Sequence, residues 1–242
     1  MEHELVVIQE FERLPERAGL ILENLLEVYI QDPILLMLSG GSAGEMLSSV
    51  SPEVMSARIT IAVLDERFSR DPHVNNFSLL SKSDFFNSAQ NAGVSCIPSI
   101  PRSAHTLDSF AEDHERLIRE WKQENPNGIT IATMGVGVDG HTAGIFPFPE
   151  DPAQFNALFE LPEQWVVGYE VSPKKSIHTA RVTVTNSFLR EEVDHALVYA
   201  RGKEKRLMVA RVASGANFIP EVPAQIVHEM RHVTFCTDSD LV

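Results

Sequence analysis

Residues 129–141 read Ile129-Thr-Ile-Ala-Thr-Met134-Gly135-Val136-Gly137-Val138-Asp139-Gly140-His141. A strand-forming run gives way to three glycines and then to an acid and a histidine. The run lacks strict alternation of apolar and polar residues, which suggests a strand covered on both faces. Seven further runs of this kind lie at 5–8, 34–38, 59–64, 165–169, 181–185, 196–200 and 233–236. Between them the chain turns helical. Residues 15–30 open with Pro15, suited to a first helical turn, and carry Leu20, Ile21, Leu25 and Val28. Thr106 can cap a second helix through Phe110, Leu117 and Trp121, which Asn125-Pro126-Asn127-Gly128 stops. Strand and helix in alternation predict an α/β fold, a mostly parallel Rossmann-like sheet with helices on both faces, as a single domain over 1–242. The proline-dotted stretch 147–162 reads as a long ordered loop or lid.

Open parallel sheets bind ligands beyond the carboxyl ends of their strands, so the residues just after each run deserve the closest reading. After 34–38 comes Ser39-Gly40-Gly41-Ser42-Ala43-Gly44, a turn able to aim backbone N–H groups at a phosphate, or simply a tight turn. After 59–64 comes Asp65-Glu66-Arg67 and a polar loop running to Asn76. Its guanidinium can meet an anion or a carbonyl oxygen; the plainer reading is a solvated, salt-bridged turn. The loop 135–141 displays His141 beside Asp139, where a neutral imidazole can take a proton from water. Arg181 opens a strand-like run, and Gly202-Lys203-Glu204-Lys205 follows another and opens a helix through Met208 and Val212, where a lysine can close over a phosphate.

Charge narrows the partners. The 242-residue chain carries 34 Asp and Glu against 20 Lys and Arg, a net charge of -14, so a nucleic acid would meet repulsion over most of the surface. An anion must therefore be bound locally, by a few cations and backbone N–H groups. Two distant cysteines, Cys96 and Cys236, suggest neither a disulfide framework nor a thiolate metal site. No apolar run approaches a bilayer span and the first residues lack a signal-peptide pattern, so a cytoplasmic protein without membrane partners is expected.

Three short motifs invite other readings. Gly40-Gly41-Ser42-Ala43-Gly44 spells GxSxG with Ser42 as nucleophile, but too little chain precedes it to supply that fold's oxyanion loop. Gly135, Gly137 and Gly140 satisfy GxGxxG, yet Pro147, Pro149 and Pro152 prevent the long helix a dinucleotide site needs. His228-Glu229-Met230-Arg231-His232 spells HExxH, but a strand-like run starts at once and only ten residues follow to give a third zinc ligand. No metal or NAD is expected.

Taken in order, the segments resemble the 6-phosphogluconolactonase family, part of the group that includes glucosamine-6-phosphate deaminases. The resemblance rests on Gly40-Gly41-Ser42, Asp65-Glu66-Arg67 with Asn76, Gly135-Val-Gly-Val-Asp-Gly-His141-Thr-Ala-Gly-Ile-Phe-Pro147, Ser172-Pro173-Lys174, Arg181-Val-Thr-Val-Thr185, Gly202-x-x-Lys205 and Pro223-Ala224. It implies a fold of the NagB/ribose-5-phosphate-isomerase type and hydrolysis of 6-phosphoglucono-1,5-lactone in the pentose phosphate pathway, without a cofactor, by a monomer or homodimer. His141 would be the general base, Asp139 its orienting partner, and Arg67 a stabiliser of the oxyanion or a phosphate ligand. Gly40, Gly41, Ser42, Asp65, Asn76, Arg181 and Lys205 would bind the substrate. The chain departs from the pattern at Ala43-Gly44, where the family usually has a proline, and at Gly144-Ile145, usually Ser-Leu. The deaminases of the group carry an aromatic residue where Arg67 stands and a glutamate soon after the histidine, where this chain has Phe146-Pro147 and no acid before Glu150. A binding relative without turnover is the other alternative.

Overall fold

The structure, a computed structural model, describes residues 3–240. Ten strands and seven helices make up the described chain. In order they are β1 (Glu4–Gln9), α1 (Leu14–Val28), β2 (Ile34–Leu38), β3 (Ile59–Val63), β4 (Asp65–Arg67), α2 (Asn76–Leu80), α3 (Asp84–Asn91), β5 (Ser95–Cys96) and α4 (Leu107–Glu124). There follow β6 (Ile129–Gly135), α5 (Pro152–Phe159), β7 (Val166–Glu170), β8 (Ala180–Val184), α6 (Asn186–Glu191), β9 (His195–Ala200), α7 (Arg206–Ala213) and β10 (His232–Thr237). The expected cap at Thr106 is present. Its side chain accepts from Ser109 N while the Ser109 hydroxyl meets the Thr106 backbone N–H.

Seven strands form one sheet in the order β1-β10-β9-β6-β2-β3-β5, and every pairing in it is parallel. All five residues of β2 are buried, and their side chains alternate between two cores. Leu35 and Met37 face the core that α4 covers with Phe110, Ile118 and Trp121. Ile34, Leu36 and Leu38 face the core that α1 covers with Leu22 and Leu26. Helices thus lie on both faces, and an unbroken apolar run is what a doubly covered strand requires.

Two of the expected strands belong elsewhere. Residues 165–169 and 181–185 supply β7 and β8, which pair with β4 in a separate antiparallel sheet of order β4-β8-β7. The connection between β7 and β8 is too short to cross over a sheet, so the two strands fold as a hairpin. Asp65-Glu66-Arg67, read above as a strand tip, is itself the short third strand. The stretch 147–162, read above as a long ordered loop or lid, contains a helix, α5. Asp151 caps α5 by accepting from Gln154 N at 2.9 Å, and Pro152 occupies its first turn. Phe155 and Phe159, both fully buried, anchor that helix against Phe148 and Tyr169. Burial of such a ring stabilises the fold by about 1.5–3 kcal/mol.

Register brings the chemistry to one edge. Leu38, at the end of β2, pairs with Val63 of β3 and Thr133 of β6, and Gly135 pairs with Tyr199 of β9. The turns after β2, β3, β6 and β9 therefore emerge side by side.

Candidate active site

A cavity of about 640 Å³ opens at that carboxyl edge. All ten residues singled out above line it: Gly40, Gly41, Ser42, Asp65, Arg67, Asn76, Asp139, His141, Arg181 and Lys205. They reach it from four turns of the parallel sheet and from the antiparallel sheet beside it.

The histidine is held from several directions. His141 Nδ1 lies 2.5 Å from Asp139 Oδ1, and the same oxygen accepts the His141 backbone N–H at 3.2 Å. Burial pulls the Asp139 carboxyl up, but hydrogen bonds and charge from His141 outweigh it and hold the acid below its ordinary range. An ionised carboxylate can only accept, so the Nδ1 nitrogen is the donor and, in a neutral imidazole, the lone pair falls on Nε2. The imidazole stacks on Phe146. Gly137 makes room on the loop side, because a Cβ there would stand 2.2 Å from His141 Nδ1. No helix opens after the three glycines; Thr142 and Ile145 close a tight turn instead, with Ala143 at φ 46° and Gly144 at φ 74°. A left-handed alanine costs about 1 kcal/mol, and the small sheet secures it. Thr183 Oγ1 donates to Ala143 O, and Tyr169 donates to Gly144 O at 2.6 Å while accepting from Phe146 N at 3.2 Å.

The turn after β2 lines the same cavity. Gly41 has φ 70° and opens a 3-10 helical run, Gly41–Ser49. Gly40 is pressed against Asn76, whose amide oxygen would lie 2.8 Å from an added Cβ. Lys205, on the turn after β9, donates from Nζ to Ser42 Oγ at 2.9 Å. Burial lowers its pKa against the pull of Glu204, Glu45 and Asp238.

The Asp65-Glu66-Arg67 strand makes the floor. Asn76 Nδ2 donates to Asp65 O at 3.0 Å and to its Oδ2 at 3.1 Å, and Arg181 Nη1 stands 3.8 Å from that oxygen. Burial raises the Asp65 pKa, opposed chiefly by Arg181. Arg67 donates from Nη1 to Val74 O at 3.3 Å. Glu66 carried no assignment in the sequence, yet it organises the group. Its carboxylate accepts from the backbone N–H of Arg67, Asn76 and Phe77 at 2.7, 2.6 and 2.9 Å, in a site only 1% exposed. Burial pushes its pKa up to about 8 against those three bonds.

Arg181 lines the cavity and is also tied to the β7–β8 loop. It is 7% exposed, donates from Nε to His178 O at 3.1 Å and from Nη2 to Ser176 Oγ at 3.0 Å, and so fixes the β7–β8 loop. That loop brings Lys174, Lys175 and Ser176 to the cavity rim. Lys175 Nζ donates to Pro147 O and lies 5.1 Å from the Phe148 ring centroid. The HExxH residues do not share a helix face. His228 ends a 3-10 turn and its Nε2 meets Val212 O at 2.7 Å, while His232 opens β10.

A parallel α/β sheet with a histidine–aspartate pair and a lysine-bearing turn at its carboxyl edge defines a Rossmann-like scaffold with a polar cavity at its strand tips, where open sheets of this class bind ligands. The model of one family, glucosamine-6-phosphate isomerases/6-phosphogluconolactonase, matches residues 12–236, and the chain belongs to that family. It is 31% identical over 134 residues to a 6-phosphogluconolactonase of Pseudomonas aeruginosa, a match covering 54% of this chain and about half, 52%, of that protein. It is 28% identical over 207 residues to a 6-phosphogluconolactonase of Bos taurus, covering 79% of this chain and 72% of that one. Among solved structures, the fold is similar to that of 6-phosphogluconolactonase from Thermotoga maritima, with a TM-score of 0.72, 20% identity, and coverage of 97% of this chain and 100% of that one. Among the described residues no helix is long and apolar enough to cross a membrane.

Proposed function

We propose that this protein hydrolyses 6-phosphoglucono-1,5-lactone to 6-phosphogluconate. The observation that carries the reading is that one cavity is lined by both the His141–Asp139 pair, which suits a base, and the Ser42–Lys205 pair, which suits an anion cradle. The Gly40-Gly41-Ser42 turn and Lys205 hold the phosphate. His141 Nε2 removes a proton from a water whose oxygen attacks the lactone carbonyl carbon. Arg67 stabilises the developing oxyanion or helps to hold the phosphate. When the tetrahedral species collapses, the ring C–O bond breaks and the imidazolium returns its proton to the departing ring oxygen. Asp139, held ionised, stabilises the imidazolium between the two transfers. Asp65 and Asn76 position sugar hydroxyls. The chemistry requires no redox group.

Arg67 and Phe146-Pro147, in place of an aromatic residue and a nearby glutamate, favour the lactonase over a deaminase. Two paired measurements test the reading: the rate of lactone hydrolysis at mildly acidic pH, where the spontaneous reaction is slow, and the shift in melting temperature with 6-phosphogluconate. Acceleration together with stabilisation is the expected result. Stabilisation without acceleration would make the protein a sugar-phosphate binder.

A further inference from the structure

A second cavity, of about 620 Å³, lies behind the Gly40-Gly41 turn and shares Ser39, Gly40, Gly41, Arg67 and Asn76 with the catalytic one. Its own lining is largely apolar: Leu47, Val50, Met55, Leu79, Leu80 and Phe85. Water in such a space is readily displaced by an apolar group. The wall between the two cavities is different in character. Gly41, at φ 70°, has nothing within 4 Å of where a Cβ would stand, so bare backbone faces open space. Two polar atoms of that wall, Ser39 Oγ and Arg67 Nε, are buried and without a hydrogen-bond partner among the described residues. Buried polar groups are ordinarily paired. An apolar compartment behind a wall that bears a guanidinium and an open glycine turn matches a molecule joining an anionic head to a short apolar tail. Asp84, on the compartment's lining, repels a second anion and so fixes the orientation, head toward Arg67.

We propose that this compartment is a subsite for the alkyl tail of a phosphate monoester whose phosphate occupies the shared wall at Gly40, Gly41 and Arg67. The inference rests on the reading of the glycine turn as a phosphate cradle. It extends the ligands of the site from phosphosugars to amphiphilic phosphates, which would compete with the sugar.

The test is a calorimetric titration of the whole protein with methyl, butyl and hexyl phosphate, with 6-phosphogluconate alongside. Affinity should rise roughly fourfold for each methylene buried, the conversion of about 0.8 kcal/mol. Gly44 lines the compartment and an added Cβ there meets nothing within 4 Å, so Gly44→Leu directs a side chain into the space. That variant should flatten the series. Leu79→Gln, at a side chain 44% exposed, is a second variant expected to reduce the slope. Equal affinity for the three esters, or a slope that survives both substitutions, would overturn the proposal. If 6-phosphogluconate binds and the series is flat, the compartment alone falls. If the series climbs and 6-phosphogluconate does not bind, the phosphosugar reading falls and the compartment stands.

Discussion

The imidazole of His141 lies against the ring of Phe146, with centroids 4.6 Å apart and planes 19° apart. Asp139 fixes one edge of the imidazole, but a hydrogen bond alone leaves the ring free to swing about it. Phe146, 4% exposed and tied through its N–H to Tyr169, supplies the flat surface that stops this motion. Phe146→Leu keeps the volume apolar and removes the surface. Because misplacement of a base by an ångström can cost two orders of magnitude, kcat for the lactone should fall roughly tenfold with KM little changed. Steady-state kinetics checks this; a change confined to KM would assign Phe146 to substrate binding instead.

Lys205 Nζ donates to Ser42 Oγ at 2.9 Å in the cavity lining, with the lysine partly buried. If they close on a phosphate, Lys205→Ala removes a charge-assisted bond of about 1.5–3 kcal/mol, or roughly ten- to a hundredfold in kcat/KM. Most of that loss should be in KM. A loss confined to kcat would place Lys205 at the reacting carbon.

Glu66 should matter more to stability than its place between two candidate site residues suggests. Glu66→Ala strands three backbone donors, two buried on Asn76 and Phe77 and one half-buried on Arg67, at about 1 kcal/mol or more each. The expected loss is about 3 kcal/mol, read from chemical denaturation, with Glu66→Gln losing less because its oxygen still accepts. A loss below 1 kcal/mol would mean that water replaces the carboxylate.

Acid should weaken the fold through His114. Burial lowers its pKa below the ordinary 6.5; its Nε2 donates to Val63 O at 3.1 Å, and its Nδ1 has no partner among the described residues. The unfolded chain then binds the proton more readily than the folded one, so the contribution is present above pH 6.5 and is lost as pH falls below it. Burial and the neighbouring His232 lower His195 in the same direction. His114→Gln keeps a donor for Val63 and cannot titrate. The melting temperature of that variant should therefore fall less steeply than the parent's between pH 6.5 and 5. Identical slopes would contradict the assignment.

Burial and turn chemistry made much of this molecule legible. Doubly buried strands such as Ile34–Leu38 carry no polar alternation, and the capping box at Thr106 marks its helix directly. The cavity residues were legible because glycines, charges and a histidine stand just past those strands. Arg181-Val-Thr-Val-Thr185 was read as a strand, but sheet membership depends on partners far away in sequence, and nothing in the run separates the hairpin from the parallel sheet. The helix at Pro152–Phe159 was hidden by its prolines, although Asp151-Pro152 is a proper helix start. Glu66 gave no sign of burial, since its bonds go to backbone N–H groups of Asn76 and Phe77 ten and eleven residues on. Arg181 shows the converse limit: charge alone did not reveal that its donors hold the 174–178 loop.

The most direct measurement compares lactone hydrolysis by the parent and by His141→Ala at equal, verified folding. Loss of a general base costs about 10²–10⁴ in rate. The expected result is a variant that melts within a few degrees of the parent, still binds 6-phosphogluconate, and has lost at least about a hundredfold in kcat. Turnover within threefold or so of the parent would contradict His141 as the base, and with it the proposed route through the lactone.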